Sequence, residues 1–210
     1  MPSRNRVKEY ETTSYYHIYT RGVNKHAIFH TEDDYSFFLG LLKRYLSPTS
    51  GNKKPNRVAY KSYADRIQLI SYALMPNHIH LFVYQEDMYA IRDLMRAVLT
   101  SYSMYFNHTY KRVGPLFQSR YLASRITEES YFEHITRYIH MNPKNWQTST
   151  HTSLDYFLQR RTANWIHPER VLDNTPEQYL AFLRSYNDTK AILDDIKWSL
   201  ANSPTDPNLT

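Results

Sequence analysis

His78-Ile79-His80 is the segment whose residue types and spacing most directly suggest chemistry. Side chains at i and i+2 of an extended chain leave the same face, so both imidazoles point one way while Ile79 points into the core. Two imidazoles side by side begin a divalent metal site. The bland alternative is a pair of unrelated surface histidines. Against it, the two open a strand that is otherwise strongly hydrophobic, where two polar rings without a purpose would cost burial. A third donor is needed, and Asn142 is the candidate. It follows Tyr138 by four residues, so on a helix the two share a face, with His134 one turn to the other side and His140 pointing away. An amide oxygen is a hard ligand that suits Mg²⁺ or Mn²⁺, and two imidazoles tilt the choice toward Mn²⁺ or a later metal. Taken alone, Asn142 also reads as a polar helix terminus before Pro143. The chain has no cysteine, which removes disulfides, thiolate zinc sites and cysteine nucleophiles from consideration.

These side chains need a scaffold, and the sequence punctuates itself into one. Residues 15 to 21 are rich in β-formers and end at Arg21-Gly22, a strand, and a second short extended piece covers Ala27 to Phe29. Thr31 is placed as an N-cap before Glu32, Asp33 and Asp34, with apolar residues following at Tyr35, Phe38, Leu39, Leu42, Tyr45 and Leu46, a helix with one buried face. Residues 47 to 56, with two prolines, a glycine and the Lys53-Lys54 pair, read as a polar loop. Two hydrophobic segments, 66 to 74 and 78 to 84, flank Met75-Pro76-Asn77 and predict a hairpin. Residues 89 to 106 predict a second amphipathic helix, 111 to 125 a loop leading into a short strand near Tyr121 to Arg125, and 127 to 142 a third helix capped by Thr127 and stopped by Pro143. Tyr138 falls in its last turns. Strand, helix, hairpin, helix, strand, helix is an α+β order: an antiparallel sheet with helices packed on it, a ferredoxin-like sandwich, over residues 1 to 149. Residues 150 to 201 read as a helical C-terminal extension broken at Pro168 and Pro176, and residues 202 to 210 as a flexible tail.

Composition narrows the partner. The 210 residues carry a formal charge of +6, and its distribution is uneven: residues 1 to 150 hold 20 basic and 12 acidic side chains, and the remainder 6 and 8. A basic domain implies an anionic partner, of which nucleic acid is the commonest. Twenty tyrosines offer faces on which unpaired bases could stack, although most tyrosines of a folded domain serve as core and boundary residues. No apolar run approaches the ~20 residues of a membrane span. With no signal segment at the N-terminus, the expected compartment is the cytoplasm, with association to the nucleoid. The four glycines have no phosphate-loop spacing.

Several strings resemble one known family. Met75-Pro76-Asn77-His78-Ile79-His80-Leu81 is similar to the histidine-hydrophobic-histidine (HUH) motif of single-tyrosine transposases of the IS200-like type, and Tyr138-Ile139-His140-Met141-Asn142-Pro143 to their tyrosine helix. The Asn-Pro version resembles the branch called REP-associated tyrosine transposases. Tyr16-His17-Ile18-Tyr19-Thr20-Arg21-Gly22 and Gly114-Pro115-Leu116-Phe117-Gln118-Ser119-Arg120-Tyr121 agree with it in the right order, with Phe117 where the family often has tryptophan. The resemblance spans roughly residues 14 to 146.

What the resemblance implies is a metal-dependent endonuclease and strand transferase for single-stranded or hairpin DNA. Tyr138 would attack a phosphodiester to leave a 5′-phosphotyrosyl link, with His78, His80 and Asn142 holding Mg²⁺ or Mn²⁺. Arg21, Lys111, Arg112, Gln118, Arg120 and Arg125 are candidate DNA contacts. A phenol with a pKa of ~10 is about 0.1% ionised at pH 7, so it would need help from the metal. The protein would act as a monomer or homodimer. Two rivals remain at this stage: a hydrolase in which His78 and His80 hold Zn²⁺ and water attacks, and a module that binds structured nucleic acid without cutting it.

Overall fold

The computed structural model describes residues 10–48 and 61–185. Most of the polar loop expected at 47–56, the far end of the C-terminal extension and the tail at 202–210 lie outside the described residues.

The hairpin forms as the sequence predicts. β2 (Ile67–Met75) and β3 (His78–Gln85) pair antiparallel around Pro76-Asn77. The turn is pinned from outside, because the backbone N–H groups of Ile28 and Phe29 both donate to the carbonyl of Pro76, at 2.7 and 3.1 Å. β1 (Ser14–Arg21) pairs antiparallel with β3 and, on its other edge, with β4 (Leu122–Ile126). The sheet order is therefore β2-β3-β1-β4. α1 (Glu32–Leu46) and α2 (Ala90–Thr109) cover one face together, the ferredoxin-like arrangement. Their core joins Phe38, Leu42, Val98 and Tyr102 to Ile18, Ile79, Leu81 and Val83 of the sheet. Buried Asp34 ties the two helices together. It accepts from the backbone N–H of His30 and Thr31 and from the hydroxyls of Tyr105 and Tyr110. Burial works to raise its carboxyl, but these donors hold it below its ordinary value.

The opposite face is also covered. Phe82, Ile70, Ala73 and Ile126 pack there under α3 (Phe132–His140), α4 (Leu154–Phe157) and α5 (Pro176–Arg184). The sheet is thus the middle of three layers, which is why its strands read as continuous apolar runs.

Several expectations need correction. Ala27 to Phe29 is not a strand. The chain leaves β1 through a 3-10 turn at Val23–Lys25, in which Asn24 and Lys25 take left-handed φ of 52° and 61°. The turn is tight enough to require Gly22, where a Cβ would stand 2.3 Å from the carbonyl oxygen of His26. Thr127 does not cap the third helix: Glu128 is still extended, a 3-10 turn follows at Glu129–Tyr131, and α3 begins only at Phe132. It ends at His140, two residues before Asn142, because the residue preceding a proline is pushed out of the helical region. α2 also runs three residues further than expected, to Thr109. In its described part the C-terminal extension is less helical than predicted: α4 and α5 are short, and Thr152 and Ile166 bridge to Ala73 and Leu69 at the β2 edge. No helix among the described residues is long and apolar enough to cross a membrane.

A buried polar network fastens α3 to this extension. His140 Nδ1 lies 2.7 Å from the Tyr179 hydroxyl, and its Nε2 lies 2.7 Å from Ser153 Oγ. Tyr179 donates to Thr136 Oγ1 at 2.9 Å, and the backbone N–H of Tyr72 donates to Ser153 Oγ at 2.9 Å. Tyr179→Phe removes the one hydroxyl shared by His140 and Thr136, leaving buried partners unsatisfied at a cost of roughly 1–3 kcal/mol. The expected result is a lower urea midpoint with an unchanged slope; an unchanged midpoint would show that the network contributes nothing net.

Candidate active site

Strand alternation determines where the histidines go. Along β3, Ile79, Leu81 and Val83 enter the α1/α2 core, so His78, His80 and Phe82 face α3. On β1 the same face carries Tyr15, His17, Tyr19 and Arg21, with Tyr19 registered opposite His80 and Arg21 opposite His78. The dyad therefore lies in the crevice between sheet and α3, and His80 is only 2% exposed.

α3 brings Tyr138 over this crevice from its last turn. Its ring meets His80 edge-on at 5.3 Å between centroids and His17 at 5.8 Å. Asn142 arrives just beyond the helix end, its Oδ1 3.0 Å from His78 Nε2. His134 does not join them: its Nδ1 is bonded to Arg137 at 2.8 Å and its ring packs on Phe182. His140 turns the other way, into the network with Tyr179.

The hydrogen bonds of His78 bear on a cation. Asn77 donates its Nδ2 to the Lys25 carbonyl at 3.0 Å, which aims its Oδ1 at His78 Nδ1, 2.6 Å away. With Nδ1 as the donor, a neutral His78 presents a lone pair at Nε2, facing the amide oxygen of Asn142. Two acceptors face one another at 3.0 Å, about the separation of adjacent ligands that each bind one cation at ~2.1 Å. Burial pushes the His78 imidazole below its ordinary value, the contact with Asn142 works against that shift, and Arg21 adds to it. On His80, Nδ1 lies 2.9 Å from His17 Nε2, which leaves Nε2 as its other ring nitrogen. The donor set of two Nε2 atoms and one amide oxygen fits a divalent ion. Asn142 is essential to that fit, since among the described residues no three His, Cys, Asp or Glu side chains gather to hold one.

The family model described as "Transposase IS200 like" matches residues 11–142, more than half of the chain and the whole span from β1 to Asn142. The chain belongs to the IS200-like transposase family. These are enzymes that nick and rejoin DNA. Among solved structures it is similar to a REP-associated tyrosine transposase bound to a REP hairpin, at 14% identity and a TM-score of 0.53, over 80% of this chain and 92% of that one. That likeness extends the shared fold into the C-terminal layer. No match was found among curated proteins.

The transposase distributes its candidate DNA contacts unevenly. Arg21 is beside the dyad: its guanidinium lies 5.3 Å from the Tyr19 ring centre, and its Nε is buried with no hydrogen-bond partner among the described residues. Gln118 is exposed at the same end of the sheet, its backbone N–H donating to the Arg21 carbonyl at 2.8 Å. Arg120, exposed on the same segment, lines a cavity of about 300 Å³ against α2. Arg112 is occupied in bracing its own loop, donating to Asn107 at 3.0 Å and the Pro115 carbonyl at 3.4 Å. Lys111 is an exposed left-handed turn residue at φ 50°. Arg125 is exposed and forms a surface ion pair with Glu11.

His17 and Asn77 are the residues the sequence reading missed. Each is bonded to one histidine of the dyad. Asn77 was visible only as a turn residue. His17 had a signal: it alternates with Tyr15 and Tyr19 on one strand face, and a buried polar ring in that series calls for a partner.

Burial keeps these imidazoles neutral. It lowers His17 to about 4 and His140 to about 3, and takes His80 well below its ordinary value, helped by His17 and His78. In the unfolded chain they titrate near 6.5. Their folded values are depressed, so below that pH the unfolded state binds protons that the folded state refuses. In chelator-treated protein, the melting temperature is expected to hold above pH 6.5 and fall steadily toward pH 4; a flat profile across that window would contradict it.

Proposed function

We propose that this transposase cleaves and rejoins single-stranded or hairpin DNA through a covalent bond to Tyr138, with His78, His80 and Asn142 holding Mg²⁺ or Mn²⁺. The observation that carries the reading is the convergence of the Tyr138 ring, 5.3 Å from His80, with the facing His78 Nε2 and Asn142 Oδ1 at 3.0 Å, inside a chain of this family. The hairpin substrate rests on the REP hairpin bound by the structural relative.

In this reading the Tyr138 oxygen forms a bond to phosphorus as the bond to the 3′ oxygen breaks. The phenol gives up a proton and the 3′ oxygen takes one up, so no proton is gained or lost overall. When bound, the divalent ion polarises the scissile phosphate and offsets its developing charge. Arg21, whose buried Nε has no hydrogen-bond partner among the described residues, would donate to a phosphate oxygen in this reading, and Gln118 and Arg120 would extend that contact along the same end of the sheet. The phosphotyrosyl link conserves the energy of the phosphodiester, so a second 3′-hydroxyl can reverse the step without a nucleotide. One chain supplies every group named, so a monomer suffices.

Tyr138→Phe is expected to abolish the denaturant-resistant protein–DNA adduct while hairpin affinity stays within a few-fold. Peptide mapping of the wild-type adduct should place the DNA on Tyr138, and DNA on Tyr19 or Tyr131 instead would overturn the assignment. His78→Ala should slow cleavage by on the order of 10²-fold or more, the scale of losing one group that stabilises transition-state charge. Cleavage at the wild-type rate by that variant would defeat the metal assignment.

Binding should favour hairpin or single-stranded DNA over plain duplex. It should weaken as salt rises, the logarithmic slope being roughly 0.7 for each single-strand phosphate contact. A salt-independent affinity, or a preference for perfect duplex, would count against this interface.

A further inference from the structure

We infer that His17 is a positioning residue for His80: by accepting a hydrogen bond from His80 Nδ1–H, it fixes the tautomer that turns an unprotonated Nε2 toward the metal site. The inference deepens the metal reading above and rests on it.

His17 Nε2 and His80 Nδ1 are 2.9 Å apart, and the two rings are parallel within 7°. They are 6% and 2% exposed, which leaves little room for water to compete for the bond. A neutral imidazole has one donor and one acceptor, so a pair joined by one hydrogen bond has two possible states. If His17 Nε2–H donates, the proton of His80 stays on Nε2, and that atom cannot ligate. If His80 Nδ1–H donates, the lone pair of Nε2 is available.

The neighbouring ring shows which state suits the crevice. Asn77 Oδ1 can only accept, so it holds the proton of His78 on Nδ1 and leaves Nε2 to face Asn142. With His17 accepting, the two histidines of the dyad match. His17 is also held firmly: it occupies the central strand β1, registered against Phe82 of β3 and Ser124 of β4. A ligating histidine commonly donates its second N–H to a carboxylate, carbonyl or water. A neutral ring in that role orients His80 without placing a negative charge where a phosphate must approach.

The first test uses isotope-labelled wild-type protein without metal, in which long-range proton–nitrogen correlation spectra read the tautomers directly. His80 should carry its proton on Nδ1, and a proton on His80 Nε2 would overturn the inference even if no variant folds. The second is calorimetric titration with Mn²⁺. His17→Leu should weaken binding ten- to a hundredfold, and His17→Gln, whose amide oxygen can accept, should recover much of the loss. Metal-free melting temperatures would identify any variant that is merely unfolded. A folded His17→Leu variant with wild-type Mn²⁺ affinity would overturn the inference. A His78→Ala control that binds Mn²⁺ as wild type does would instead defeat the metal reading, while the tautomer measurement still judges the role of His17.

Discussion

Burial of the sheet on both faces is the constraint on which the rest of this structure depends. Because side chains alternate along β3, Ile79, Leu81 and Val83 enter one core while His78, His80 and Phe82 enter the other crevice. Without the α3 layer the same histidines would stand in water, titrating near 6.5 and free to rotate. Under α3 they are desolvated and bonded. Their neutral state and their orientation both follow from the presence of a third layer.

That layer has to be held, and the C-terminal segment holds it. α3 has only nine residues, too few to be stable alone. Its apolar side rests on Phe82, Ile126 and Phe157, while Thr136 and His140 bond to Tyr179 and Ser153. Arg137 adds a bond to the Phe182 carbonyl at 3.1 Å, with its guanidinium 4.0 Å above the Phe182 ring. Tyr138 projects from the side of the helix facing the histidines. A segment remote in sequence from the site therefore decides how firmly the proposed nucleophile is held over the dyad.

The abundance of tyrosine, which hinted at stacking on bases, has mostly a packing explanation. Tyr16, Tyr72, Tyr102 and Tyr179 are fully buried, and Tyr102 donates to the Ile28 carbonyl at 2.5 Å. The basic residues divide similarly. Arg112 braces its own loop and Arg125 forms a surface ion pair with Glu11, whereas Arg21 carries a buried nitrogen with no hydrogen-bond partner among the described residues, next to the histidines. Electrostatic inference from composition alone could not separate a cation that braces a loop from one whose guanidinium keeps an unbonded nitrogen.

The sequence by itself determined what local rules control. Period-two alternation placed His78 and His80 on one face, the Pro76-Asn77 turn set the hairpin, and the element order specified an antiparallel ferredoxin-like sheet. Pro143 ensured that the helix bearing Tyr138 would stop near Asn142. The start of α3 was misread because Thr127 and Glu128 make a good capping signal, yet pairing with β1 keeps Ile126 extended and delays the helix to Phe132. Only the tertiary structure decided the rest. His17 lies 63 residues from His80 in sequence, and no local pattern reports a contact made through the β1–β3 register. Which nitrogen of each histidine stays available, and whether Asn142 faces His78, depend on groups brought together by packing, because hydrogen bonds between distant strands and loops leave no periodic trace in the chain.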